Sequence, residues 1–97
     1  MLTFNLKKEW FEKIKSGEKT HEYREVKPYW IKRLNNNKSS KILFCDGYPK
    51  ADEKEKRLYA KIKHIDIVWG KDTDLKIQRS VFDIEFDLIK EVLDDGI

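Results

Sequence analysis

The feature that most constrains this chain is a strict alternation near its C-terminal end, where Phe82, Ile84, Phe86 and Leu88 interleave with Asp83, Glu85 and Asp87. Successive side chains of a strand point to opposite faces, so the pattern fits a strand with one apolar face on a core and one acidic face in water. Shorter stretches repeat the theme. Leu2, Phe4 and Leu6 alternate with Thr3, Asn5 and Lys7, residues 19–24 read as a second strand, and residues 41–45 read as a buried strand ending in the turn Asp46-Gly47. Leu58, Ala60 and Ile62 point one way, but the next apolar residues are Ile65, Ile67 and Trp69. The alternation slips by one residue near His64, which predicts a bulge or bend there.

Two helices fit between the early strands. Residues 8–16 carry Trp10, Phe11 and Ile14 on one stripe, with Trp10 assigned to core packing, and Gly17 stands where a left-handed C-cap belongs. Pro28 opens the second helix at the position where a missing N–H costs least, and Trp30, Ile31 and Leu34 form its expected inner face. Residues 35–40 are a polar loop, 51–56 a charged loop and 70–80 a polar connection. About five strands and two short helices, with the helices clustered early, predict an α+β fold built as a small mixed β-barrel rather than a βαβ sheet. A length of 97 residues fits a single domain spanning 1–97 with one core.

Composition narrows the setting. Hydrophobic residues at 39% suffice for a core, while charged residues at 40% imply a thoroughly solvated exterior. No apolar run approaches the roughly 20 residues of a membrane helix, and residues 1–8 lack the apolar stretch of a signal peptide, so the expectation is a cytoplasmic protein without a membrane partner. Cys45 stands alone, cannot form an internal disulfide, and ends an apolar run, which predicts a buried thiol. The net charge of +3 is unevenly spread: residues 1–71 hold 18 Lys and Arg against 10 Asp and Glu, a net of +8, whereas residues 72–97 hold 3 against 8, a net of −5. Such asymmetry presents a basic face to polyanions or forms an ordinary solvated surface.

Several signatures are missing. No phosphate loop or Gly-rich dinucleotide turn is present. His21 and His64 are far apart and there is one Cys, so no zinc set assembles, and neither a metal nor another cofactor is expected. His64, at the strand bend, reads as structural. The informative stretch is residues 16–24, Ser-Gly-Glu-Lys-Thr-His-Glu-Tyr-Arg. As a strand it sends Thr20, Glu22 and Arg24 to one face and His21 and Tyr23 to the other, with Lys19 at its start, and so sets an acid between two cations. On a solvent face these are cross-strand ion pairs of little worth. In a concave cleft, Arg24 grips a phosphate or base edge and Glu22 accepts from an amino group.

The string Gly17-Glu18-Lys19-Thr20-His21-Glu22-Tyr23-Arg24, a G-x-K-x-x-E-x-R pattern after a first strand and short helix, resembles the signature of the ASCH domain family. Residues 7–11, 27–30 and 44–48 resemble a small stand-alone branch of that family found in bacteria and phages. The resemblance implies a PUA-like barrel with a basic cleft and RNA-related work, holding RNA, single-stranded nucleic acid or a nucleotide. On this reading Lys8, Lys19, Arg24, Lys27 and Arg33 supply positive potential, Tyr29 or Tyr48 stacks a base, and Glu22 reads an amino group. An enzyme is the alternative, with Lys19 as general base and Glu22 as acid, because one branch of the family has nuclease activity and another hydrolyses the amide of acetylated cytidine with a Lys, a Thr and an acid. Lys19 matches that Lys, but Glu22 stands where its Thr nucleophile falls, and Asp72 and Asp74 are the available acids in the 70–80 connection. Glu22 with Asp72 or Asp74 is also a carboxylate set for a divalent ion in a nuclease reading.

Overall fold

A computed structural model describes residues 1–89. The alternating segments form β1 (Leu2–Leu6), β2 (His21–Glu25), β3 (Lys41–Asp46), β4 (Arg57–Trp69) and β5 (Ser80–Leu88), with helices α1 (Lys8–Lys15) and α2 (Pro28–Asn36) after the first two strands. The strands make one sheet in the order β1-β3-β4-β5-β2, parallel between β1 and β3 and antiparallel elsewhere. It curls into a half-barrel, the α+β fold of five strands and two short helices that the periodicity predicts.

Inside the curl the apolar faces meet. Phe4, Phe44 and Phe86 are buried and in contact, with ring centroids 5.7 Å apart for Phe4 and Phe44 and 4.7 Å apart for Phe44 and Phe86. From α1, Phe11 and Ile14 close one end of this core. The predicted slip in β4 is a register shift between Ile62 and His64. Its effect is readable in the pairing: Ile62, Ile65 and Ile67 oppose Phe86, Ile84 and Phe82, which all lie on one face of β5. One inserted residue thus keeps Ile62, Ile65 and Ile67 on one face of the sheet, although only Ile62 packs on the core while Ile65, Ile67 and Trp69 are exposed, as is His64 itself. Cys45 is buried, and that burial disfavours the thiolate and pushes its thiol above the ordinary range, against the pull of Arg57.

Local departures from the periodicity have simple causes. The strand expected over 19–24 begins at His21, because the Lys19 N–H donates to the Lys13 carbonyl at 3.0 Å and belongs to the end of α1. Gly17 there has φ +87°, the left-handed conformation a helix C-cap asks for. Ile31, expected on the inner face of α2, is exposed, whereas Trp30 and Leu34 pack on the core. Trp10 is only half-buried, at the edge of the α1 stripe rather than inside the core. Among the described residues no helix is long and apolar enough to cross a membrane.

Beyond Ile62, whose N–H donates to the Ser40 carbonyl at 2.7 Å, β4 pairs with β5 alone, so among the described residues its other edge is open, with Ile65, Ile67 and Trp69 exposed along it. The Asp66 carboxylate accepts from the Ile67 N–H at 2.9 Å, occupying an outward donor and adding charge at the edge. Charged residues at free edges oppose strand-to-strand association. Asp66→Val is therefore expected to turn a monodisperse protein into one whose apparent mass by light scattering rises with concentration; an unchanged mass means the edge is guarded by other means.

Candidate functional site

The turn after α1 and the start of β2 build the site. Hydrogen bonds from the Ser16 N–H to the Glu12 carbonyl, the Gly17 N–H to the Ile14 carbonyl and the Lys19 N–H to the Lys13 carbonyl hold the turn against the helix end. The Lys19 side chain is consequently aimed back over the sheet, where it is 9% exposed. Glu22 lies on β2 opposite Ile84 and is 3% exposed. The third element is the 70–80 connection. A 3-10 turn at Gly70–Asp72 starts it, and the Thr73 hydroxyl donates to the Gly70 carbonyl at 2.8 Å and accepts from the Leu75 N–H at 3.2 Å. A Cβ at residue 70 would lie 2.7 Å from the carbonyl oxygens of Ile77 and Arg79, so glycine is required for the connection to fold back on itself. These contacts fix Asp74 above β2.

Four charged groups converge. Lys19 Nζ lies 2.5 Å from Asp74 Oδ2 and 3.5 Å from Glu22 Oε1, and Arg24 donates to Glu22 Oε2 and to the Tyr23 carbonyl, the latter at 2.9 Å. Aromatic rings wall them in. Lys19 Nζ sits 5.4 Å from the Trp10 ring and 5.1 Å from the Tyr23 ring, while the Arg24 guanidinium lies 4.8 Å from Phe4 and 5.3 Å from Trp30. The groups line a two-lobed cleft. The larger lobe, about 350 Å³, holds Glu22, Arg24 and Lys7, and the smaller, about 230 Å³, holds Lys13 and His21; Trp10, Lys19, Tyr23 and Asp74 line both.

Burial pushes the Glu22 carboxyl above the ordinary glutamate range, and Arg24 and then Lys19 pull it back. The Tyr23 phenol is also raised, first by burial and then by the carboxylates of Asp83, Asp74 and Glu22, so it remains an O–H donor at neutral pH. Two cations face two carboxylates here, and the cleft is close to neutral in sum. A phosphate entering it would have to displace a carboxylate from Lys19 or Arg24, whereas a neutral planar group with both donors and acceptors meets partners for each.

Of the residues singled out in the sequence, Lys19, Glu22, Arg24 and Asp74 come together in this cleft, whereas Lys8, Lys27, Tyr29, Arg33, Tyr48 and Asp72 do not line it. Tyr48 is 87% exposed in the turn after β3 and lines a neighbouring depression with Lys8, which adjoins the larger lobe along Asn5, Leu6 and Lys7. Tyr29 and Arg33 lie on α2, where Tyr29 is exposed and meets Trp30 edge-on at 5.0 Å, and Lys27 is exposed at the N-cap of that helix. Asp72 is exposed in the 3-10 turn, and Asp74 and Glu22 face the Lys19 ammonium rather than one another's open side. Among the described residues no group of three His, Cys, Asp or Glu side chains is placed to hold a metal ion.

Sequence reasoning missed Trp10, Tyr23 and His21. Alternation assigned Tyr23 and His21 to the opposite face of β2, but both line the cleft, and His21 bonds Asp83 through Nδ1 at 2.6 Å. Compared with protein-family models, curated proteins and solved structures, the chain matches none. The functional reading therefore rests on geometry and on the residues of the signature.

Proposed function

We propose that this chain is a PUA-like domain of the ASCH type that binds RNA or a nucleotide in the cytoplasm by holding a nucleobase in the Lys19–Glu22 cleft. The observation that carries the reading is the convergence of Lys19, Glu22, Arg24 and Asp74 in one concave site between the rings of Trp10 and Tyr23. A base has a π-face for the rings and an edge of mixed donors and acceptors for the four charged groups. Glu22 and Asp74 accept from an amino or imino N–H, and Lys19 and Arg24 donate to a carbonyl or ring nitrogen. Phosphates belong to the rim, where Lys7 and Lys13 line the lobes and Lys8 and Tyr48 extend the surface.

This division gives a test. Nucleoside binding, followed through tryptophan fluorescence, is expected to change little with salt, while binding of a short single-stranded RNA weakens with salt and its slope falls by about one unit when Lys8 is replaced by Gln. Lys19→Ala is expected to weaken both by about tenfold or more, as a charge-assisted hydrogen bond is lost. Absence of saturable binding of any nucleoside or RNA defeats the reading.

The enzyme reading keeps one specific support: the Lys19–Asp74 contact puts an acid from the 70–80 connection beside Lys19, the arrangement the amidohydrolase resemblance asks for. Against it, Glu22 offers no hydroxyl at the nucleophile position, and two carboxylates occupy the Lys19 ammonium. Incubation with acetylated cytidine, and with labelled RNA with and without magnesium or manganese, separates the two. Turnover that disappears in Lys19→Ala assigns the chain to the enzymes.

A further inference from the structure

Of the four arginines in this chain, three have protein acceptors. Arg24 donates to Glu22 and the Tyr23 carbonyl, Arg57 to the carbonyls of Pro49, Lys50 and Glu53, and Arg79 to Glu25. Arg33 differs. Its Nε is buried and finds no partner, although a buried N–H of a charged group is the kind of donor that folded proteins leave unpaired least often. The guanidinium is nevertheless held in place: its carbon lies 5.4 Å from the Tyr29 ring and 5.5 Å from the Trp30 ring, four and three residues earlier on α2.

The surroundings are those of an anion site. Arg33 lines a depression of about 330 Å³ with Lys32, Asn36, Asn37, Met1 and Leu2, and no carboxylate of the described residues lines it. Asn37 spends its amide on the Ser39 carbonyl, which leaves the Arg33 fork, the Lys32 ammonium and the Asn36 amide as donors. Arg33 stands in the last turn of α2, where a cation normally answers the exposed carbonyls and the partial negative charge of the helix end. It bonds none of those carbonyls. The half charge of the helix end is smaller than the two full cations beside it, so the local potential is positive.

We infer that α2 carries an oxyanion site, separate from the Lys19–Glu22 cleft, in which the Arg33 guanidinium takes two oxygens of a phosphate group with Lys32 and the Asn36 amide beside it. A guanidinium prearranged on two aromatic faces loses little freedom when it meets a tetrahedral oxyanion, and its planar fork matches two of the oxygens. The inference does not depend on what the cleft holds. The phosphate chemistry is common to inorganic phosphate, a terminal phosphate monoester and the internal phosphodiesters of RNA.

The test titrates the full chain with inorganic phosphate at constant ionic strength and follows the Arg33 Nε–Hε resonance by NMR, beside a chloride control. A saturable shift of that resonance, together with the backbone amides of residues 32–37 and without movement at Lys19 and Glu22, is expected. Arg33→Lys, which keeps the charge and loses the fork, is expected to weaken binding about tenfold, and Lys32→Gln, an exposed change that spares the fold, by severalfold. No saturable shift, a shift equal to that with chloride, or undiminished binding in both variants overturns the site. Parallel titrations with a nucleoside 5′-monophosphate and with 5′-hydroxyl and 5′-phosphorylated oligoribonucleotides identify the source: a preference for the phosphorylated end marks a monoester site, equal response marks the backbone, and response to inorganic phosphate alone marks the free ion.

Discussion

Phe44→Ala is expected to cost about 3–5 kcal/mol, read as a lower urea midpoint with an unchanged slope. Phe44 is fully buried, stacked against Phe4 on one strand and tilted against Phe86 on another, so its removal opens a cavity where β1, β3 and β5 meet. Folded domains are stable by only about 5–15 kcal/mol, so the variant loses a large share of the total. Trp10→Ala makes the contrast. Its side chain is half-buried and forms part of the cleft wall, so its loss is expected to cost about 1–2 kcal/mol, since only part of the ring leaves an apolar environment. Equal losses in the two variants would mean that Trp10 belongs to the core.

The difference between those two rings shows where periodicity is informative. Alternation finds the strands because every second residue of a buried face must be apolar, and even the slip near His64 was legible, since a bulge is the only way for Ile62 and Ile65 to share a face. Helical stripes are less decisive. Trp10, Phe11 and Ile14 satisfy the same pattern, yet Phe11 and Ile14 fill the core and Trp10 is left at its margin. Ile31 on α2 fails in the same way, one position past Trp30 on the helix.

The site was legible only where its chemistry is local. Lys19, Glu22 and Arg24 lie within six residues, so their convergence follows from one turn and one strand. Asp74 joins them from fifty-five residues away, through a connection whose shape depends on the bare backbone at Gly70 and the Thr73 hydroxyl. No spacing rule links Asp74 to Lys19. Tyr23 was placed on the far face by alternation, but a twisted edge strand lets a long ring lean past the edge to meet the Lys19 head at 5.1 Å. Tyr29 adjoins Pro28 at the start of α2 and Tyr48 adjoins Pro49 after β3, and neither local context fixes which way the ring faces in the folded chain.

Replacing Glu22 is expected to separate the electrostatics of the cleft from its packing. Glu22→Leu removes the acceptor that Arg24 depends on and leaves a half-buried guanidinium against Phe4 and Trp30 with the Tyr23 carbonyl alone, a loss of about 3 kcal/mol, at the low end for a broken buried pair because Asp74 still pairs Lys19. Glu22→Gln keeps an oxygen acceptor in the same place, and a loss of about 1 kcal/mol at most is expected at neutral pH. The two variants also differ from the wild type in their response to pH. Burial raises the Glu22 carboxyl above its ordinary value of 4.5, so the folded chain holds this proton more tightly than the unfolded chain does. The stability this provides is complete below the unfolded value and is lost as pH rises through the higher folded value. A glutamine cannot titrate, so the stability of Glu22→Gln relative to the wild type is expected to improve as pH rises above the ordinary glutamate value of 4.5 in urea unfolding series. The opposite trend would mean that Arg24 and Lys19 outweigh burial and hold the carboxylate ionised. If the trend is as expected, a ligand that donates a hydrogen bond to Glu22 should bind the ionised carboxylate and favour proton release from the cleft, so nucleoside affinity rises with pH over the same range in the wild type and stays flat in the glutamine variant.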